Sequence, residues 1–240
     1  MKALAGLLKR LGRPFGGHPL HPVLAAHRAA QARRDPRALV ADLDFVALDT
    51  ELTGFDPRQD AIVSVAAVRL RGFSIRTGET FAALVRPERD VPRVSSLVHG
   101  LTASALSQAA GLEEVLAGLL DFIGPAVVVG HHVGLDMGFL NAASRKCFGG
   151  ELAAPCIDTL RLAMAYEQKR LALEGGGPEQ NAFDLPNLSQ RYGLPAFAAH
   201  DARHDALAAA YLFLYLGKKL SRGKPLTLAG LWRAGRLWWM

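Results

Sequence analysis

The stretch from Phe45 to Val68 limits most narrowly what this chain can fold into. An apolar run, Phe45 to Leu48, leads into Asp49 and Glu51. A turn holding Gly54 and Pro57 follows, and a second apolar run opens at Ala61. Two such runs about a Gly/Pro turn predict a β-hairpin. Residues i and i+2 of a strand share a face, so Asp49 and Glu51 stand side by side. Anions a few ångströms apart repel, and burying them without compensation is costly. A divalent cation removes that cost, and hard oxygen ligands select Mg²⁺ or Mn²⁺ over zinc. A solvated strand end carries the same triplet, so the pair acquires meaning only if matching carboxylates come from elsewhere.

Further along, the pattern predicts a third strand near Glu79 to Arg86 and a loop at Val98 to Thr102, with Thr102 or Ser104 capping a short helix. Leu112 to Ile123 has helical periodicity. Ala126 to Val129 is a short all-apolar run of the kind found in buried strands. Helices are predicted from Leu135 to Phe148, Asp158 to Arg170, Leu185 to Tyr192 and Ala202 to Leu220, with a Gly/Pro-rich loop over Glu174 to Asn181. Three adjacent strands followed by strand–helix alternation indicate a mixed-sheet α/β body.

At 240 residues the chain is long enough for one domain with appendages. The net charge of +6 is uneven: residues 1–40 carry +7, residues 41–217 carry −7 and residues 218–240 carry +6. The division expected is a basic N-terminal helical extension and linker (1–40), the body (41–220) and a basic, Trp-rich tail (221–240). An acidic body suits a metal–carboxylate site, and basic ends suit a polyanion or an acidic surface. In the extension, Leu4, Leu7, Leu8 and Leu11 recur at helical spacing, while His18, His21 and His27 fall in a Pro/Gly-rich connector. In the tail, Leu228, Leu231, Trp232, Gly235 and Trp239 share one helical face. That face suits packing on the body, a polymerase or other protein partner, or a membrane interface.

Cys147 and Cys156 are not spaced as zinc ligands and read as reduced thiols of a cytoplasmic protein. No apolar run approaches the length of a transmembrane segment. Lys9, Arg10 and Arg13 interrupt the N-terminal apolar patch too early for a signal peptide.

Matching carboxylates do occur. Asp136, in Val128 to Leu140, falls in the first turn of a helix that follows the buried strand, where the helix dipole favours an anion. His200-Asp-Ala-Arg-His-Asp205 opens the last long helix. The order Asp49-Thr-Glu-Leu-Thr-Gly, then Gly130 to Leu140, then His200 to Asp205 resembles the DEDDh (DnaQ-like) 3′–5′ exonucleases, a family that includes the proofreading subunit of bacterial replicative DNA polymerase. His99-Gly-Leu-Thr, Asp158-Thr-Leu and Leu185 to Leu194 are supporting matches. The resemblance runs from about Leu43 to Leu216. It departs at Leu52, where the family usually has Thr, and at His132, where it usually has Asn.

The resemblance implies an α/β, ribonuclease H-like fold with a five-stranded mixed sheet flanked by helices, and 41–220 as the exonuclease domain. It also implies two-metal phosphodiester hydrolysis at the 3′ ends of single-stranded DNA or RNA, with DNA favoured and nucleoside 5′-monophosphates released. In that scheme Asp49, Glu51, Asp136 and Asp205 hold two Mg²⁺ or Mn²⁺ ions, and His200 is the general base. Leu52, Thr53, Phe55, His99 and Phe139 are placed by position to cradle the terminal nucleotide. RNA 3′-end trimming uses the same residues. A non-catalytic nucleic-acid or polymerase-binding adaptor would not need all five catalytic positions filled, as they are here.

Overall fold

A computed structural model describes residues 20–32, 34–89, 91, 100–152, 154–174 and 183–235, with the backbone alone for 168–174. The Leu4 to Leu11 stretch, His18, His99, most of the loop after Glu174, and Trp239 lie outside the described residues.

The expected hairpin is β1 (Asp44–Leu52) and β2 (Ile62–Arg71), joined antiparallel from Asp44↔Arg71 to Leu52↔Ile62. A two-residue turn at Gly72 and Phe73 leads into β3 (Ser74–Leu84). Gly72 is required there. Its φ is +54°, and a Cβ would lie 2.5 Å from the Ala41 carbonyl oxygen. β4 (Val127–Gly130) and β5 (Cys156–Asp158) run parallel to β1, giving a five-stranded mixed sheet of order β3-β2-β1-β4-β5. The sheet and its flanking helices form the expected ribonuclease H-like α/β fold.

Both faces of β1 are covered, so its apolar run is continuous rather than alternating. Val46 and Leu48 point into a core with α3 (Leu112–Ile123) and α4 (Val133–Phe148). Phe45 and Ala47 point the other way, against α7 (Ala202–Ser221) and α5 (Thr159–Glu174), where Phe45 and Phe213 meet at 4.9 Å between ring centroids. The helix α2 (Ala103–Ser107) is capped by Thr102, and α6 (Leu185–Arg191) precedes the loop into α7.

Three elements differ from the sequence expectation. β3 begins at Ser74, five residues before the predicted start, because it is an edge strand whose exposed polar residues hide strand periodicity. Its edge is interrupted between Arg76 and Thr80, and Glu79 folds back onto Arg69 at 3.1 Å. β5 was not expected locally: the predicted helix starts at Asp158, its last residue, and with three residues the strand is too short to show any period. The supposed connector holding His21 and His27 is corrected to a helix, α1 (Pro22–Gln31). Pro22 occupies the first turn, where its missing N–H is harmless, and His21 Nδ1 accepts from the Val23 N–H at 3.3 Å.

α1 packs on α3 and α4, tied by Arg28 to the Glu151 carbonyl at 2.8 Å and by Gln31 to the Gly124 carbonyl at 2.6 Å. Its His27 is buried, and burial pushes the imidazole down to about 4. The Leu120 backbone opposes the shift, while Arg34 and Arg28 add to it. The unfolded chain therefore takes up a proton near pH 6.5 that the folded chain refuses until about pH 4. Stability from this group is complete above pH 6.5 and is lost as pH falls toward 4, by about 3 kcal/mol. Denaturant unfolding at pH 7 and pH 4.5 checks this: His27→Leu should lose markedly less stability between the two than wild type does. Equal losses would show that His27 is not the titrating group.

At the other end, α8 (Leu228–Gly235) lays Leu228, Leu231 and Gly235 on α5 and β5. The approach is tight enough that a Cβ on Gly235 would sit 2.8 Å from Leu162 Cδ2. The predicted apolar face of the tail thus packs on the body over its described part. Among the described residues, no helix is long and apolar enough to cross a membrane.

Candidate active site

β1 outruns its parallel neighbour. Its pairing with β4 ends at Ala47↔Val129, while β1 continues to Leu52. The sheet therefore opens a crevice at the C-terminal end of β1, and the candidate residues gather there.

Asp49 and Glu51 continue the face of Phe45 and Ala47, toward α7. Asp205 lies in the first turn of α7 and meets them; one carboxylate oxygen from each of the three falls within 4.8 Å of the others. Asp205 is aimed by the His200 N–H, which donates to Oδ2 at 2.9 Å. Asp201 caps α7 by accepting from the Arg203 and His204 N–H groups at 2.9 and 3.4 Å.

Asp136 arrives from the opposite face. It sits in the first turn of α4, buried, and its Oδ1 accepts the Thr50 N–H at 3.0 Å and the Thr50 hydroxyl at 2.6 Å. Because β4 has ended, that N–H has no strand partner, and the carboxylate takes its place. Asp136 stands outside the group of three yet close enough to act on it.

The electrostatics are those of a site short of positive charge. Asp49 is pushed well above the usual carboxylate range by burial, then by Asp136, Asp205, Glu51 and Asp201. Glu51 is pushed up to about 7 by burial, then by Asp205, Asp201 and Asp136. Burial also raises Asp136 and Asp205, against the Thr50 hydrogen bonds in the first case and the His200 N–H in the second. The largest neighbouring charges acting on Asp49 are other carboxylates. Converging, half-desolvated oxygen donors of this kind fit hard divalent ions such as Mg²⁺ or Mn²⁺.

A second layer fixes these groups. Asp158, at the end of β5, accepts the His132 and Leu160 N–H groups, each at 3.0 Å. The first bond holds His132 at a left-handed φ of +56° as α4 begins. Thr159 donates its hydroxyl to the Gly130 carbonyl at 3.1 Å. Thr50 and Asp158 went unassigned in the sequence, and of the two Asp158 alone left a signal, in the Asp-Thr-Leu match; Asp201, with His200 one of two candidates for the cap region of the last long helix, is its N-cap.

The nucleotide-cradling candidates divide. Phe55 is 85% exposed beside the crevice, and Leu52 is half-buried at the end of β1. Thr53 is committed to the hairpin turn: its hydroxyl accepts the Ala61 N–H at 2.9 Å and faces Asp60 at 3.4 Å. Phe139 is buried in the core cluster that holds Leu48 and Met137, and it also lines a surface cavity with Pro57, Ile62 and Arg86. His99 lies outside the described residues.

Fold and site together define a ribonuclease H-like protein with a carboxylate cluster suited to divalent metal. The family described as Exonuclease, RNase_T, matches residues 46–213, and the chain belongs to that family. It is 31% identical over 179 residues to DNA polymerase III subunit epsilon of Aquifex aeolicus, covering 75% of this chain and 83% of that protein. It is 33% identical over 173 residues to the PolC-type DNA polymerase III of Thermotoga maritima, covering 72% of this chain but 12% of that much longer protein. Among solved structures, E. coli exonuclease I in complex with a dT13 oligonucleotide superposes with a TM-score of 0.64 at 18% identity, covering 75% of this chain and 42% of that one. At that identity the likeness is one of fold.

Proposed function

We propose that the chain is a 3′–5′ exonuclease that hydrolyses phosphodiester bonds at the 3′ ends of single-stranded nucleic acid, DNA favoured, and releases nucleoside 5′-monophosphates. The observation that carries this reading is the convergence of Asp49, Glu51 and Asp205, with buried Asp136 close beside them. The DNA-bound exonuclease I structures and the polymerase III relatives support DNA as substrate. They also support a cytoplasmic setting and a polymerase partner.

In this reading Asp49, Glu51, Asp136 and Asp205 would hold two divalent ions. Bound there, the ions supply positive charge that activates the attacking water and stabilises the oxygens of the displacement. His200 accepts the proton of that water at its imidazole. Thr50 aims Asp136 by donating two hydrogen bonds to one oxygen, and these bonds offset part of the rise that burial imposes on its carboxyl. Phe55 and Leu52 offer apolar contact to the terminal nucleotide, and His99 remains a candidate beside them.

The test is a side-by-side assay of 5′-labelled single-stranded DNA and RNA with Mg²⁺ or Mn²⁺. Shortening of the DNA from its 3′ end, abolished by EDTA, is expected. Faster trimming of RNA would shift the substrate to RNA 3′ ends. Inertness toward both, with metal binding intact, would leave a binding adaptor instead.

A further inference from the structure

Residues 195–201 carry His200 to the crevice with little to hold them. Pro195, Ala196, Ala198, Ala199, His200 and Asp201 are all exposed. Among the described residues, no backbone hydrogen bond is made by 195–199. His200 itself is held at φ +63°, a conformation that a non-glycine residue adopts only when its surroundings impose it. Something must fix this segment, and one side chain in it is turned inward.

That side chain is Phe197. Its ring stacks against two residues of α7, with centroids 6.1 Å from His204 and 5.9 Å from Tyr211, each at 27°. His204, Tyr211 and Tyr215 are spaced seven and four residues apart, so they form one stripe along the helix. Tyr192, where the segment begins, stacks on Tyr215 at 4.5 Å and donates its hydroxyl to the buried Glu167 at 2.6 Å. The segment therefore runs back along α7 on aromatic contacts and ends at the His200 N–H on Asp205.

We propose that Phe197 is a positioning residue for His200: by clipping onto the aromatic stripe of α7, it sets where the imidazole stands over the carboxylates. The inference rests on the exonuclease reading for its kinetic consequence, but the geometry it asserts is independent of activity. Without the Phe197 ring, the segment keeps its two ends and loses its middle. The left-handed conformation of His200 is then no longer imposed, and its bond to Asp205 opens.

Three measurements on the full chain test it. In Phe197→Ala, the backbone amide resonance of His200 should shift or broaden while those of β1 stay in place; an unchanged His200 amide would overturn the proposal even if the protein proved inactive. In an active protein, Phe197→Ala should lower kcat by about 10²-fold, the effect of misplacing a reacting group by about an ångström, with KM nearly unchanged. Phe197→Tyr, which keeps the ring, should recover it. Finally, Phe197→Ala in a His200→Ala background should cause no further loss. An equal loss in both backgrounds would make Phe197 a general structural residue and sink the idea. Inactivity of wild type would instead refute the exonuclease reading, leaving the resonance test to decide Phe197.

Discussion

Replacing Asp49 with Asn is expected to abolish hydrolysis and, in the absence of metal, to make the protein harder to unfold. Asp49 is raised far above its ordinary range by burial and by four surrounding carboxylates. Its ionised form is therefore disfavoured in the fold relative to the unfolded chain, so the metal-free native state loses stability to this group as pH rises above the ordinary carboxylate range. A like-charged pair at ~4 Å costs about 1 kcal/mol in water and about 4 kcal/mol at an intermediate dielectric. Removing one charge relieves several such pairs in part. For a chain of this size each kcal/mol moves Tm by roughly 2–4 °C. Melting scans at pH 8, with and without Mn²⁺, check both signs. Wild type should gain stability from Mn²⁺. Asp49→Asn should start higher, gain little and lose on the order of 10²–10³-fold or more in turnover. An identical Mn²⁺ shift in both proteins would place the ions elsewhere.

The second large effect belongs to His200. Removal of a general base costs about 10²–10⁴-fold in turnover, and His200→Ala should show that loss while keeping the Mn²⁺-induced rise in Tm. Keeping the metal response separates it from the carboxylate variants, since His200 touches Asp205 through its backbone N–H, which Ala retains. Near-normal turnover of His200→Ala at saturating Mn²⁺ would remove the residue from the reaction. His204, next to Asp205, would then be tested as the substitute.

The central hairpin and the placement of the four carboxylates were legible in the sequence for one reason: both depend on short-range periodicity. Apolar runs about a Gly/Pro turn give β1 and β2, the i, i+2 rule puts Asp49 and Glu51 together, and first-turn positions aim Asp136 and Asp205. What stayed hidden depends on neighbours distant in sequence. β5 has three residues, and its strand character comes from β4 beside it. Ser74 to Glu79 is polar because β3 is an edge. Thr50 was invisible as a functional residue because its role depends on β4 ending early, a property of another strand.

That assembly from remote parts bears on how the chain comes to be active during folding. Asp49 and Glu51 belong to a hairpin that local contacts can form early. Asp205 is delivered by α7, which closes over β1 and β2 from the far end of the body. A nascent or partly unfolded chain whose hairpin has formed but whose last long helix has not docked holds two of the three converging carboxylates. It also lacks the loop that carries His200. On the proposed mechanism, hydrolysis thus requires the completed fold, because a chain whose α7 has not docked lacks the third carboxylate of the cluster.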